Sequence, residues 1–361
     1  QAVFTTGSQA GSTAYTVTIS TAVMDANNNP MASNYPFSYT TADVAAPTVT
    51  AFTATTPSTS LNIPIPSFTA ADNVAVTGYK ITTSATPPLA GDAGWTGTAP
   101  ATYTVVSDGT YTLYPWAKDA AGNVSAVFAT PRTVVVDTTA PTVSSTIPTN
   151  GATSVTLNST VTINWSENVN CATVTTGTVT ISPAAGWVRT SCSASQAVFT
   201  PSGQTGSTAY TVTVSTAVTD SNGNPMTSNY PFSYTTADIG TPTSTITTPA
   251  NGAVINSASA NPYTISGSAT DNASVTGIEV STNGGSTWNA ATCTGCPGAN
   301  VTWTYSWTLP SDGSYTIRSR ATDSSSNVET PAAGNTVTVD RTTPTVSSTI
   351  PTNGATAVAL N

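Results

Sequence analysis

The chain copies itself, and that repetition limits its fold more than any other feature. QAVFT at residues 1–5 returns at 196–200, GSTAYTVT at 11–18 returns at 206–213, and SNYPFSYTTAD at 33–43 returns at 228–238. All three recur at an offset of 195 residues, while PTVSSTIPTNGAT at 141–153 returns at 344–356, an offset of 203. Self-similarity at a fixed period means stacked structural units, each with its own small core. An Asp-x-x-x-Pro mark punctuates the chain at Asp43, Asp137, Asp238 and Asp340. The spacings of 94, 101 and 102 residues suit one β-sandwich per interval. The proline holds each junction extended, so the linkers are short and stiff.

The period of two appears in every unit. Tyr15, Val17 and Ile19 alternate with outward Thr, as do Tyr210, Val212 and Val214, and Tyr111 with Leu113 and Tyr315 with Ile317 follow suit. A Gly precedes each of these tyrosines by two or four residues, a placement like the tyrosine corner of Ig-like sandwiches. Polar turns follow at Asp25–Asn29, Asp119–Asn123, Asp220–Asn224 and Asp323–Asn327. The expected architecture is all-β: a tandem array of Ig-like β-sandwiches forming an extended rod. Two unit types alternate. Residues 1–42 read as the C-terminal part of one module, 43–137, 138–239 and 240–340 as complete modules, and 341–361 as the N-terminal part of a further one. The 240–340 module carries a CxxC-stapled insertion between Trp288 and Asp312. Residues 159–195 are the part not supplied by the two end fragments, which reads as a window cut from a continuous array. With strands of about ten residues, each module should be about 40 Å long and the array roughly 120 Å or more.

Composition sets the function classes aside. Charged residues are 6% of the chain and the net charge is −9, which argues against nucleic-acid binding, since phosphates call for a basic surface. There is no histidine, so the commonest general base and the Ser-His and Cys-His pairs are missing. The chain therefore does not read as an enzyme. No apolar run is long enough to span a bilayer. Four cysteines, Cys171, Cys192, Cys293 and Cys296, read as two local disulfides and an oxidising, extracellular setting. A thioredoxin-like CxxC or a zinc site of four thiolates are the alternatives.

PTNGATSVTLNSTVTINWSENV, followed later by AYTVTVSTAVTDSNGNPM and FSYTTAD, resembles the bacterial Ig-like repeats of surface-layer and adhesin proteins. ATDNASVTGIEVSTNGGSTW and SDGSYTIRSRATDSSSNVET resemble the bacterial Ig-like modules of large secreted and surface proteins. Trp165, where Phe is common before Ser-Glu, and the cysteines depart from the pattern. The resemblance implies extracellular structural modules without catalytic residues. Three roles compete: the stalk of a cell-surface adhesin, a self-assembling filament or sheath, and an accessory carbohydrate-binding region of a secreted enzyme. The first two imply neighbouring copies or cell-surface and matrix components as partners. The third would use Trp95, Trp288, Trp303 and Trp307, although buried sandwich tryptophans explain them as well.

Eleven of the sixteen acidic residues fall into three positional classes, so their placement is not random. These are the boundary residues, the openers of the late turns, and Asp72, Glu167 and Asp271 after an early strand. In an Ig-like sandwich all three classes meet at the leading end of the module. The expected clusters are Asp43 with Asp72 and Asp119, Asp137 with Glu167 and Asp220, and Asp238 with Asp271 and Asp323. Asn73, Asn123, Asn168, Asn222, Asn272 and Asn327 lie close enough to add amide oxygens. Oxygen-only sets of this kind suit calcium, which would stiffen each junction. Plain turn chemistry, with Asp bonding its own backbone, is the competing account.

Overall fold

The computed structural model describes residues 1–359, and among these there is no helix. Three separate cores lie along the chain, built around residues 49–136, 143–234 and 246–339. The alternation expected from the sequence is what fills them. In Gln196–Ser202 and Ala209–Val214 every second side chain is buried, so Phe199, Val212 and Val214 point inward and the threonines between them outward.

The middle module is a sandwich of two four-stranded sheets. One runs in the order Val143–Ile147, Val161–Trp165, Gln196–Ser202, Gly186–Ser193; the other runs Ala152–Val155, Tyr230–Thr236, Ala209–Val214, Val179–Ser182. Ala152–Val155 joins its sheet in parallel and all other pairings are antiparallel. Ile163, Phe199, Val212 and Phe232 fill the space between the sheets, and Trp187 stacks on Phe199 with ring centroids 4.9 Å apart. The disulfide Cys171–Cys192 closes a loop of sequence separation 21 on this module.

The flanking modules share a second design. Gly109–Asp119 pairs with Arg132–Val136 along its first half and with Val76–Thr82 along its second. Gly313–Asp323 does the same with Asn335–Asp340 and the end of Tyr263–Ser281. Tyr263–Ser281 is one 19-residue strand whose register breaks between Thr270 and Val275, and there it changes partner from Gly298–Trp307 to Gly313–Asp323. Asp271 stands at that break. The Cys293–Cys296 disulfide spans the end of the Thr292–Thr294 strand, which pairs with Gly298–Trp307.

The expectation of ten-residue strands does not hold. The final strands, Arg132–Val136, Tyr230–Thr236 and Asn335–Asp340, have five to seven residues, and only a few strands reach ten or more. The repeated Asx and Gly turns cut the apolar runs shorter than a count from marker to marker implies.

In residues 1–42 the strands Ala14–Ile19 and Tyr35–Thr40 form a hairpin in the same register as Ala209–Val214 with Tyr230–Thr236. Phe37, the counterpart of the buried Phe232, is 44% exposed there. Residues 341–359 carry no strand.

The corner tyrosines divide by unit type. Tyr111 and Tyr315 donate their hydroxyls to the Ser107 and Ser311 carbonyls at 2.7 and 2.8 Å. Tyr15 and Tyr210 instead accept from the Ala10 and Thr205 amides at 2.9 Å. The residue so pinned lies four or five positions ahead of each tyrosine, at the module's trailing end.

Candidate metal centres at the module junctions

The local reason for each late-turn aspartate is visible in its hydrogen bonds. Asp220 is fully buried; its Oδ1 accepts from the amides of Asn222, Gly223 and Asn224 at 2.8, 2.6 and 2.8 Å, and its Oδ2 from Asn224 Nδ2 at 2.8 Å. Asp119 and Asp323 repeat this with Asn123 and Asn327. Burial pushes the Asp119 carboxyl up, but the Asn123 side chain and the amides of Asn123, Gly122 and Ala121 outweigh it and hold it below the usual range. Asp25 makes the same bonds to Asn27 and Asn29 while fully exposed, and the Asn29 side chain above all lowers its carboxyl. The turn thus forms wherever the sequence occurs, and turn chemistry alone explains this class of aspartate.

In the other two classes the turn engages one oxygen: Asp43, Asp137 and Asp238 accept from the Ala45, Thr139 and Gly240 amides through Oδ1, and Asp72 and Asp271 each accept from two amides through Oδ2. The structure brings Asp43, Asp72 and Asp119 together, likewise Asp137, Glu167 and Asp220, and likewise Asp238, Asp271 and Asp323; in each trio one oxygen per residue lies within 4.8 Å of the others. Two unit charges that close repel by about 3 kcal/mol at an effective dielectric of about 20. Within these trios Asp72 Oδ1, Glu167 Oε1, Asp238 Oδ2 and Asp271 Oδ1 are buried and accept no hydrogen bond. A buried, unpaired carboxylate oxygen is costly, so these oxygens fit a cation. At Glu167 burial first, then the Asp137 and Asp220 charges, push the carboxyl above its usual value. Asp238 goes the other way: burial raises it, but the Asn272 side chain, the Gly240 amide and the nearby Ser207 hydroxyl lower it further.

The asparagines meet the acids through their amide nitrogens. Asn73, Asn222 and Asn272 donate Nδ2 to Asp43, Asp137 and Asp238 at 3.3, 2.6 and 3.0 Å. Asn123 and Asn327 donate to both the late-turn aspartate and the boundary carbonyl. Through Nδ2 these side chains partly offset the negative charge of the acids. Asn168 makes no such side-chain bond; only its carbonyl is engaged, by Ser221 N. Asn224 fills the role in the middle module, bonding Asp220 and the Asp137 carbonyl at 2.8 and 2.9 Å. Its position, four residues after the turn aspartate, matches Asn123 and Asn327 and was available as a signal. At Gly240 the approach is so close that a Cβ would stand 2.3 Å from Asn272 Oδ1.

The remaining acids are occupied elsewhere. Glu279 pairs with Arg320 at 2.7 Å, Asp92 lies 3.9 Å from Lys80, and the buried Glu329 accepts from the Ser244 and Ala321 amides at 2.8 and 3.0 Å. Trp303 and Trp307 are core residues. Trp95 has Lys80 and Lys118 over its ring, and Trp288 has Arg320 over its own at 4.5 Å. Cations therefore sit against the two half-buried tryptophans.

Alternating β units of about a hundred residues, with corner tyrosines and acidic junctions, define a tandem of Ig-like domains. Family profiles agree and narrow the class: a bacterial Ig-like domain matches residues 137–236, a bacterial Ig domain matches 242–318, and a bacterial Ig-like domain of group 3 matches 299–360. The chain belongs to the bacterial Ig-like domain repeats. No curated protein matches it. Solved structures similar to it include Drosophila N-cadherin EC1-4, at 15% identity over 86% of this chain and 79% of that one, with a TM-score of 0.33. The sulfane dehydrogenase SoxCD from Paracoccus pantotrophus matches at 29% identity over 25% of this chain, with a TM-score of 0.23, and this chain spans 23% of its length. The fibronectin(III)-like modules of Clostridium thermocellum CbhA match at 15% identity over 55% of this chain and 92% of theirs, with a TM-score of 0.23.

Proposed function

We propose that the chain is a non-catalytic, extracellular spacer, the stalk of a bacterial cell-surface protein, whose module junctions are stiffened by calcium. One observation carries this reading: the same three-carboxylate arrangement, with buried oxygens lacking any partner, is built at three successive junctions. Asp43, Asp72 and Asp119 would hold the first ion, Asp137, Glu167 and Asp220 the second, and Asp238, Asp271 and Asp323 the third. Calcium tolerates the irregular, oxygen-only surroundings that these loops offer, whereas magnesium demands near-octahedral geometry and keeps its waters. Each trio includes the boundary aspartate at the head of the linker. An ion there ties the boundary residue to the two loops of the following sandwich and removes the mutual repulsion of the acids.

Two disulfides without a free cysteine among the described residues fit an oxidising location. No helix of the described residues is long and apolar enough to cross a membrane. Partners on this reading are neighbouring copies or cell-surface and matrix components. Solution scattering of the chain with calcium and with chelator tests the stalk directly. Calcium should narrow the distribution of end-to-end distances; identical profiles in the two conditions would overturn the reading.

A further inference from the structure

The junctions are not chemically equivalent, and the difference lies in the trailing loop of the preceding module. Three residues before the corner tyrosine stands Ser12 or Ser207 in one unit type and Asp108 or Asp312 in the other. Asp108 accepts from Thr138 Oγ1 at 2.9 Å and Thr139 Oγ1 at 3.3 Å, and Asp312 accepts from the Arg341 amide at 2.9 Å. These aspartates grip the linker just after the boundary residue and leave the acidic trio alone. Ser12 and Ser207 grip just before it, their amides donating to the Ala42 and Ala237 carbonyls at 3.2 Å.

That grip turns the serine side chain toward the next module's trio. Ser207 Oγ lies 3.3 Å from Asn272 Nδ2, which also bonds Asp238 at 3.0 Å. Ser12 Oγ is buried with no partner, and a cleft of about 420 Å³ has Ser12, Thr41 and Asp43 on one side and Asp119 and Ala121 on the other. Both serines have φ of 51°, a left-handed backbone that glycine adopts more easily. A hydroxyl is therefore kept twice at a position where the backbone favours its absence.

We propose that Ser12 and Ser207 each lend a hydroxyl oxygen across the junction to the calcium site of the following module. This rests on the calcium reading above. It makes the array alternate. Ion binding at Asp43 and Asp238 couples two modules, while the ion at Asp137 is held within one module and its linker is clamped by Asp108 with or without calcium.

Hydrogen exchange on the full chain, in calcium chloride and in chelator, reads each linker separately. In the wild type, calcium should slow exchange at Gly206–Thr208 and at 237–241, and should leave 138–140 unchanged. Ser207→Gly, which suits the backbone, should lose the calcium-dependent slowing at 237–241 and weaken that site by about tenfold, the usual effect of losing a supporting oxygen. The calcium response at the Asp43 linker should stay as in the wild type. Asp108→Asn should loosen 138–140 in both conditions. If Ser207→Gly keeps the full calcium response at 237–241, or Asp108→Asn loosens its linker only in chelator, the alternation is wrong while the calcium sites stand. If wild-type calcium titrations give no binding, the calcium reading itself fails.

Discussion

Asp220→Ala isolates what burial adds to an otherwise ordinary turn. Asp220 is fully buried and serves three main-chain amides and the Asn224 side chain, all at 2.6–2.8 Å. Its removal leaves four donors without acceptors. Each buried, unpaired donor costs about 1–3 kcal/mol, but the turn lies at the module's end and can open partly to water. Relief of the repulsion from Asp137 and Glu167 offsets part of the loss. The expected net destabilisation in chelator is about 3 kcal/mol, or roughly a hundredfold in the opening equilibrium. Native-state exchange at the Val212 and Val214 amides, in the strand that leads into this turn, reports that equilibrium. Asp25→Ala is the internal control, since Asp25 accepts from two turn amides and the Asn29 side chain but is fully exposed. It should leave exchange at Val212 and Val214 unchanged. A change at Val212 of less than about fivefold in Asp220→Ala would refute the claim that a buried, fully engaged carboxylate organises this end of the module.

Glu167→Gln should have opposite effects in the two conditions. The folded module binds more protons than the unfolded chain between the usual glutamate value and the raised one, so stability falls as pH rises through that window and is fully present below it. In chelator at neutral pH the variant should therefore be more stable than the wild type and lose that acid-range slope; in calcium it should bind the second ion more weakly. Denaturant midpoints across pH measure both. Cys171→Ser with Cys192→Ser opens a loop of sequence separation 21, a loss of about 3 kcal/mol in the chain-entropy model, seen as a lower midpoint for the middle module only. Gly240→Ala should displace Asn272, whose Oδ1 would stand 2.3 Å from the new Cβ, and weaken the third site alone by calcium titration.

Much of the fold was legible because the chain repeats nearly intact. A strand such as Ala209–Val214 could be read from one copy and checked on another at an offset of 195. The acidic trios were legible for the same reason: three positional classes recurring in phase restrict which loops can meet. Strand lengths were not, since a distance between markers does not separate strand from turn. Ser12 and Ser207 left no mark at all. In a Ser/Thr-rich chain a hydroxyl is unremarkable until a φ of 51° and the adjacent linker carbonyl show where it points. Glu329 was likewise hidden, because one of its two amide partners, Ser244, lies 85 residues away in sequence.

Isothermal titration of the chelator-stripped chain with calcium, paired with unfolding curves at each point, tests the central claim most directly. The account predicts three ions per chain and a stabilisation of about 2.7 kcal/mol in each bound module at a hundredfold excess over the dissociation constant. No binding heat together with unchanged unfolding midpoints would contradict it, and would leave the three trios as turn residues held together at the expense of their own repulsion.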